Sequence, residues 1–373
     1  MPTKSKLATK ITCPNDGSTN VHWDIKRQKL HCASCRQEFD QLAPVITQGE
    51  HNFNGIPIDE KITAKLEVPT NIFDYRCTGC GAAIVLDVNT SMNTRCSWCR
   101  NELTMNKVID TEFTPNGIIP FAISKDTALK NFRKWTRKHW FVRSDFAAKD
   151  SDIEIKAIYY PFYAIDRSAH YDITATGERN TSRRSGNYII TRHEQYSIRT
   201  PSMAYVDDFE LVSLTSIKNQ LIINSIEPYD WTKVRAFDYA FLNTFAAQHR
   251  DISLETIAGE VDRKLTALIY DDIKKDLNRA TRMQNIKILY HTGPVEDSIA
   301  YCLAPAWLIT YIDKKDKKTY FFALNGQTGK TSGILPVSYQ KLILFFLILT
   351  LITAALATIL NVLVLIVASK GYI

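Results

Sequence analysis

Seven of the chain's eight cysteines fall before residue 100, and four of them, Cys77, Cys80, Cys96 and Cys99, form two CxxC pairs with fifteen residues between them. Two such pairs bring four thiolates around one point, the tetrahedral shell that structural zinc prefers. A shell closed by four protein donors has no open position for water or substrate, so the chemistry it predicts is the bracing of a fold. Stepping back 64 residues from each of these positions reaches Cys13, Asp16, Cys32 and Cys35. The constant offset marks an internal repeat in which a carboxylate has replaced one thiolate. A carboxylate oxygen binds zinc at about 2.0–2.2 Å and a thiolate at about 2.3 Å, so Asp16 is a candidate fourth ligand. His31 and His22 are the other candidates, and a first site that has lost its metal or holds it weakly is the remaining reading.

These residues need tight turns to hold them, and Gly79 and Gly81 supply backbone freedom beside Cys80. The expected organisation is a degenerate zinc ribbon over 1–40, a linker with one short strand over 41–70, and a second ribbon over 71–108. Residues 1–70 carry nine Lys/Arg against eight Asp/Glu and residues 71–108 carry four against three. Duplex binding needs several uncompensated phosphate contacts, so this near-neutral pair predicts no nucleic-acid surface of its own.

An α+β domain is expected over 109–338. Ser124–Val142 repeats apolar residues at helical spacing among Lys130, Arg133, Lys134, Arg137 and Lys138, a basic amphipathic helix that packs on a sheet or lies on an anionic membrane. Residues 153–177 and 187–199 read as antiparallel strands joined by the arginine-bearing loop Glu178–Gly186, with His170 and His193 facing each other. Helices are expected over 211–225, 237–250 and 254–278, and strands over 285–291, 298–312 and 318–324. The segments YYPFYAID (159–166) and LAPAWLIT (303–310) echo each other, a sign of a duplicated β unit whose prolines lie at edges or bulges. Cys302 reads as a buried small residue.

The stretch FFALNGQTGKTSG at 321–333 imitates a phosphate-binding loop, but that loop needs a glycine five residues before Gly329, and Leu324 stands there. Asn325-Gly326 instead predicts a hairpin turn with both residues at positive φ. No nucleophile or acid pair sits at a recognisable spacing, so the chain is expected to be no enzyme and to take no small-molecule substrate.

Residues 342–368 hold no charge over 27 positions. As a helix they measure about 40 Å against a hydrocarbon core of about 30 Å, enough for one tilted crossing. No secretory signal opens the sequence, so the expected location is the cell membrane, single-pass, with the N-terminal domain cytoplasmic. In that reducing setting cysteines favour metal over disulfides.

With these features assembled, the chain resembles a bacterial family of membrane-anchored proteins bearing a transcription-factor-IIB-type zinc ribbon, often labelled primosomal protein N-prime-like. The resemblance is carried by Cys96-Ser-Trp-Cys99, Ile119-Pro120-Phe121 before the Trp135 helix, Tyr160-Pro161-Phe162, Glu227-Pro228-Tyr229, Pro305-Ala306-Trp307, and Ala323 to Lys330 followed by Leu335-Pro336 and the apolar tail. It implies genomic company with a phage-shock protein A homologue and stomatin-like partners, a role in envelope stress, and no transferable catalytic residue. The first ribbon of that family usually has four cysteines, and Asp16 departs from the pattern. The expected function is a membrane-anchored adaptor that binds such proteins. The rival is a nucleic-acid-binding protein, which needs the Lys130–Lys138 helix and Arg183-Arg184 to form one basic face.

Overall fold

The computed structural model describes residues 11–41, 52–54, 56–58, 71–87, 95–96, 98–108, 114–143, 146, 153–214, 217–282, 284–313 and 318–369. It is an α+β protein with a mixed sheet. The N-terminal strands β1 (Val21–Asp24), β2 (Lys29–Cys32) and β3 (Glu38–Phe39) form a separate three-stranded sheet. The expected linker contains a small hairpin, β4 (Asn52–Phe53) with β5 (Ile56–Pro57). It is pinned to the body because Phe53 is fully buried, its ring 6.1 Å from Trp231; residues 42–51, 55 and 59–70 lie outside the described residues.

Strands β6 (Ile72–Cys77), β7 (Ala83–Asp87) and β8 (Leu103–Val108) follow, then β9 (Gly117–Ile118), helix α1 (Lys125–Lys138), β10 (Ile153–Ser185) and β11 (Tyr188–Val212). Helix α2 (Ile217–Asn224), β12 (Arg235–Ala236), β13 (Ala246–Gln248), helix α3 (Leu254–Thr281), β14 (Gln284–Ile312), β15 (Thr319–Asn325), β16 (Thr331–Gly333) and helix α4 (Tyr339–Ser369) complete the chain. Strands β6 to β16 make one eleven-stranded sheet around the antiparallel pair β10–β14.

The strands run further than their composition suggests. Residues 178–185, expected as a loop, continue β10, and the turn narrows to Gly186 and Asn187. His170 pairs with Met203 and His193 with Asn180, so the two histidines do not face each other. The helix expected from 211 begins only at Ile217, and 237–250 is the short 3-10 turn Tyr239–Asn243 followed by β13. Both corrections have one cause: apolar residues there, such as Phe241 and Ala247, are buried from several sides, so their spacing does not report a helical stripe.

The echo between 159–166 and 303–310 is structural. Two βαββ units, β9–α1–β10–β11 and β13–α3–β14–β15, exchange strands: β13 runs parallel to β10, pairing Ile158 with Ala246, and β9 runs parallel to β14, pairing Cys302 with Gly117. Equivalent positions keep constant spacings, 129 residues from Ile118 to Ala247 and from Ser124 to Ser253, and 144 from Tyr163 to Trp307. Side chains repeat too. Trp307 Nε1 donates to Ile123 O at 2.8 Å, and Tyr163 OH donates to Ile252 O at 3.1 Å, each just before a serine that opens a helix.

The prolines are not at edges. Pro161 O accepts from Ser213 N at 3.0 Å and Pro305 O from Gly326 N at 2.8 Å. A strand residue presents its N–H and C=O to the same neighbour. Each proline therefore turns its missing donor to the gap where the outer partner changes, from β13 to β11 or from β9 to β15. The turn after Asn325 exists, but positive φ falls at Gly329, not at Gly326. Asn325 Oδ1 accepts from the N–H groups of Gln327 and Thr328, both at 2.9 Å, and a Cβ on Gly326 would meet Phe121 and Pro305 at 2.8 Å. That glycine is needed for close approach.

Candidate metal centres

Both four-residue constellations come together. The donor atoms of Cys77, Cys80, Cys96 and Cys99 lie within 4.8 Å of one another, as do those of Cys13, Asp16, Cys32 and Cys35. The knuckles that aim them are the same structure used four times. Gly81 N donates to Cys77 O and Gly17 N to Cys13 O at 3.0 and 2.9 Å; Arg100 N donates to Cys96 O and Arg36 N to Cys32 O at 3.1 and 2.9 Å. In each, the donor residue has positive φ, between 64° and 73°. Gly17 and Gly81 take this geometry without strain, while Arg36 and Arg100 accept its cost to close the turn. The isolated bridge of Arg95 to Glu102 repeats the pairing of His31 with Glu38 at the same 64-residue offset.

In the second site Cys77 Sγ lies 3.2 Å from Cys99 Sγ and Cys80 Sγ 3.6 Å from Cys96 Sγ. Donors at a tetrahedral zinc stand about 3.8 Å apart, so these thiols need to relax by only tenths of an ångström to hold an ion. Backbone N–H groups of Gly79 and Cys80 point at Cys77 Sγ at 3.4 and 3.5 Å, and that of Trp98 at Cys96 Sγ at 3.4 Å. A thiolate gains from such donors. With the Cys80 thiol also bonded to it, Cys96 is pulled down to about 5, and Cys80 moves up.

In the first site Cys13 and Cys35 are 3.4 Å apart, and both carboxylate oxygens of Asp16 stand 3.6 Å from Cys32 Sγ. The N–H of Ser18 bonds Asp16 Oδ1 at 3.0 Å and holds the carboxyl below its ordinary range, so it stays ionised and ready to ligate. His22 and His31 pair across β1 and β2 with rings 4.9 Å apart, and neither joins the cluster. The geometry thus favours Asp16 as the fourth donor, and both clusters can hold a metal ion.

The second site is fused to the body. Its β7 pairs with β13, Trp98 Nε1 donates to Gln248 Oε1 at 3.0 Å, and Arg100 donates to Thr310 O at 3.0 Å while pairing with Glu154 at 2.7 Å. The first docks by side chains. Trp23 Nε1 donates to Phe121 O at 3.0 Å, and Ile11 N donates to Asp238 Oδ2 at 2.7 Å. Arg235 covers the Trp23 ring at 4.9 Å. Gln248 and Asp238 carry these contacts but give no signal in the sequence, because a lone Gln or Asp in an apolar run has no spacing to recognise. Cys302, outside both sites, is buried in the β10–β14 pair, and burial pushes its thiol up.

Helix α4 is long and apolar enough over Tyr339–Ile366 to cross a membrane, and none of its apolar window is buried against the rest of the chain. Among curated proteins the chain is similar to the uncharacterized protein YdjG of Bacillus subtilis (strain 168), 28% identical over 233 residues, which span 62% of this chain and 67% of that protein. No family model and no solved structure matches the chain.

Proposed function

We propose that the chain is a single-pass, zinc-braced adaptor whose N-terminal body faces the cytoplasm and recruits other proteins, a phage-shock protein A-like or stomatin-like protein among them, to the membrane in envelope stress. The observation that carries this reading is the union of two closed four-donor sites with an unburied apolar helix in one chain. Four protein donors around an ion leave it no place for substrate, so the metals fix the shape of a surface. Soft thiolates in a tetrahedral cluster suit zinc over harder ions. Tethering then raises the effective concentration of that surface for partners at the bilayer.

The nucleic-acid reading needs α1 and Arg183-Arg184 on one face. Ile155 packs against the buried cluster that contains Phe132 of α1, and 28 residues of β10 separate it from Arg183, a path of about 90 Å at 3.3 Å per residue. The two basic features therefore stand far apart along β10. Removing residues 342–373 should move both this protein and its captured partner to the soluble fraction, as judged by cross-linking and mass spectrometry before and after. A partner that stays on the membrane without the anchor overturns the recruitment reading.

A further inference from the structure

The base of α4 is bolted to the segment that ends α1. Val337 pairs with Val142, Ser338 N donates to Phe141 O at 2.7 Å, and Lys341 Nζ donates to Val142 O at 2.7 Å. The ring of Phe345 stands 5.4 Å from that of Phe141 and 6.5 Å from that of Trp140. At this level two large aromatic side chains remain open, Trp140 at 76% and Tyr339 at 75% exposure. Tryptophan and tyrosine with a lysine, at the foot of an apolar helix, are the residues that settle at a membrane–water interface.

Along α1, Lys130, Lys134, Arg137 and Lys138 recur at three- and four-residue steps and are all exposed, while Ala128, Phe132 and Thr136 bury the opposite face. Asp126 is the one acidic residue on the helix, against six Lys and Arg. None of the four exposed bases pairs with an acid among the described residues. A basic stripe that ends beside interfacial aromatics, next to the segment fastened to the apolar helix, is complementary to an anionic membrane surface.

We propose that the outer face of α1, together with Trp140, lies on the anionic lipid headgroups of the leaflet that α4 enters. The inference rests on the reading of α4 as an anchor and adds a second, electrostatic attachment that fixes how the body tilts over the bilayer. Each basic residue near an anionic surface contributes about 1 kcal/mol, roughly fivefold in partitioning, and the attraction fades within a Debye length of about 10 Å at 0.1 M salt.

The test uses the full chain in vesicles of phosphatidylcholine alone or with about one-third phosphatidylglycerol, a fraction that gives a strongly anionic surface. Acylation of Lys130, Lys134 and Lys138 is followed by mass spectrometry. Brominated lipid quenches Trp140, read as the difference between the wild type and Trp140→Phe. Lysine labelling should fall about fivefold or more on the anionic vesicles. It should recover at high salt and stay high in the double variant Lys134→Gln, Arg137→Gln, measured at its remaining lysines. Carbonate extraction separates two failures. Retained protein with equal labelling on both lipids overturns this proposal alone, whereas protein stripped by carbonate overturns the anchor as well. Equal protection by a single-stranded oligonucleotide without anionic lipid assigns the stripe to nucleic acid and also overturns the proposal.

Discussion

The two four-donor clusters share a backbone and differ in what they are attached to. Strands β6 to β8, which carry the second cluster, are part of the eleven-stranded sheet, joined through β7 to β13, whereas β1 to β3, which carry the first, stand as a separate sheet held by side chains such as Trp23 and Asp238. The donors follow the same division, four thiolates in the fused ribbon and three with a carboxylate in the docked one. The four-thiolate set thus sits where its strands pair with the main sheet, and the set with a carboxylate sits in the separately paired strands, so the weaker donor falls where fewer main-chain bonds depend on it.

The largest effect expected from breaking this comparison is the loss of a thiolate from each site. Structural zinc contributes on the order of 10–16 kcal/mol in zinc-finger peptides, so removing one ligand should empty either site. Cys96→Ser should lower the metal content from two ions to one and also unprotect β13 and the Trp98 region in hydrogen exchange. Cys13→Ser should lower the metal content equally while leaving β10, β13 and β14 protected. Equal loss of protection in the two variants would show that the docked ribbon is as integral as the fused one.

Next in size is the donor that differs. Asp16→Cys should raise the affinity of the first site, measured by competition with a chelator at pH 8, by about tenfold or more, since thiolates suit this ion better. The variant should also steepen the loss of metal as pH falls. Asp16 is held ionised by Ser18 N–H and offers protons no competition in the mildly acidic range, whereas a thiol of ordinary pKa, about 8.5, must lose its proton to bind. Asp16→Ala should release metal from this site only.

Much of the two clusters is legible because their chemistry is periodic in the sequence. The 64-residue offset marks the eight residues that come together in two groups able to hold a metal ion, Asp16 among them, and the uncharged run of 342–368 marks the helix long and apolar enough to cross a membrane. The body was read less well. Phe241 in its 3-10 turn and Ala247 and Leu211 in the sheet are buried among other elements, so their apolar spacing imitates a helix, and Arg183, Arg184 and Ser185, polar and exposed, extend a strand whose pairing with β11 decides its conformation. The echo at Pro161 and Pro305 showed the duplication but not the exchange of strands between units, which depends on pairings far apart in sequence.

A smaller difference should separate the two tryptophans that dock the ribbons. Trp98→Phe leaves Gln248 Oε1 buried without its donor, at a cost of about 1–3 kcal/mol. Trp23→Phe removes a bond to Phe121 O, which keeps a second one from Gln28 Nε2 at 2.9 Å, so this change should cost about 1 kcal/mol or less in hydrogen bonding. Thermal unfolding of the metal-loaded variants should rank them in that order, and the reverse order would place the tighter contact at the docked ribbon.

A last effect, confined to alkaline pH, belongs to the body and shows whether pH changes seen in either ribbon come from the ribbon itself. Glu227 and Glu210 sit together where burial pushes them up to about 8 and about 7. Glu210 keeps a bond from Tyr229 N at 2.7 Å, while Glu227 Oε1 has no hydrogen-bond partner. The folded state therefore holds protons that the unfolded chain, with carboxyls near 4.5, has released. Their stabilising contribution is complete below about pH 4.5 and is lost as pH rises through 7 and 8. Glu227→Gln imitates the protonated form at every pH. After allowance for solvent screening it should add about 1–2 kcal/mol at pH 9 and almost nothing at pH 5, read from denaturant midpoints with metal held saturating. A gain that is the same at both pH values would mean that Glu227 is not buried ionised, and the pH response of the whole chain would then fall to the thiolates of the two ribbons.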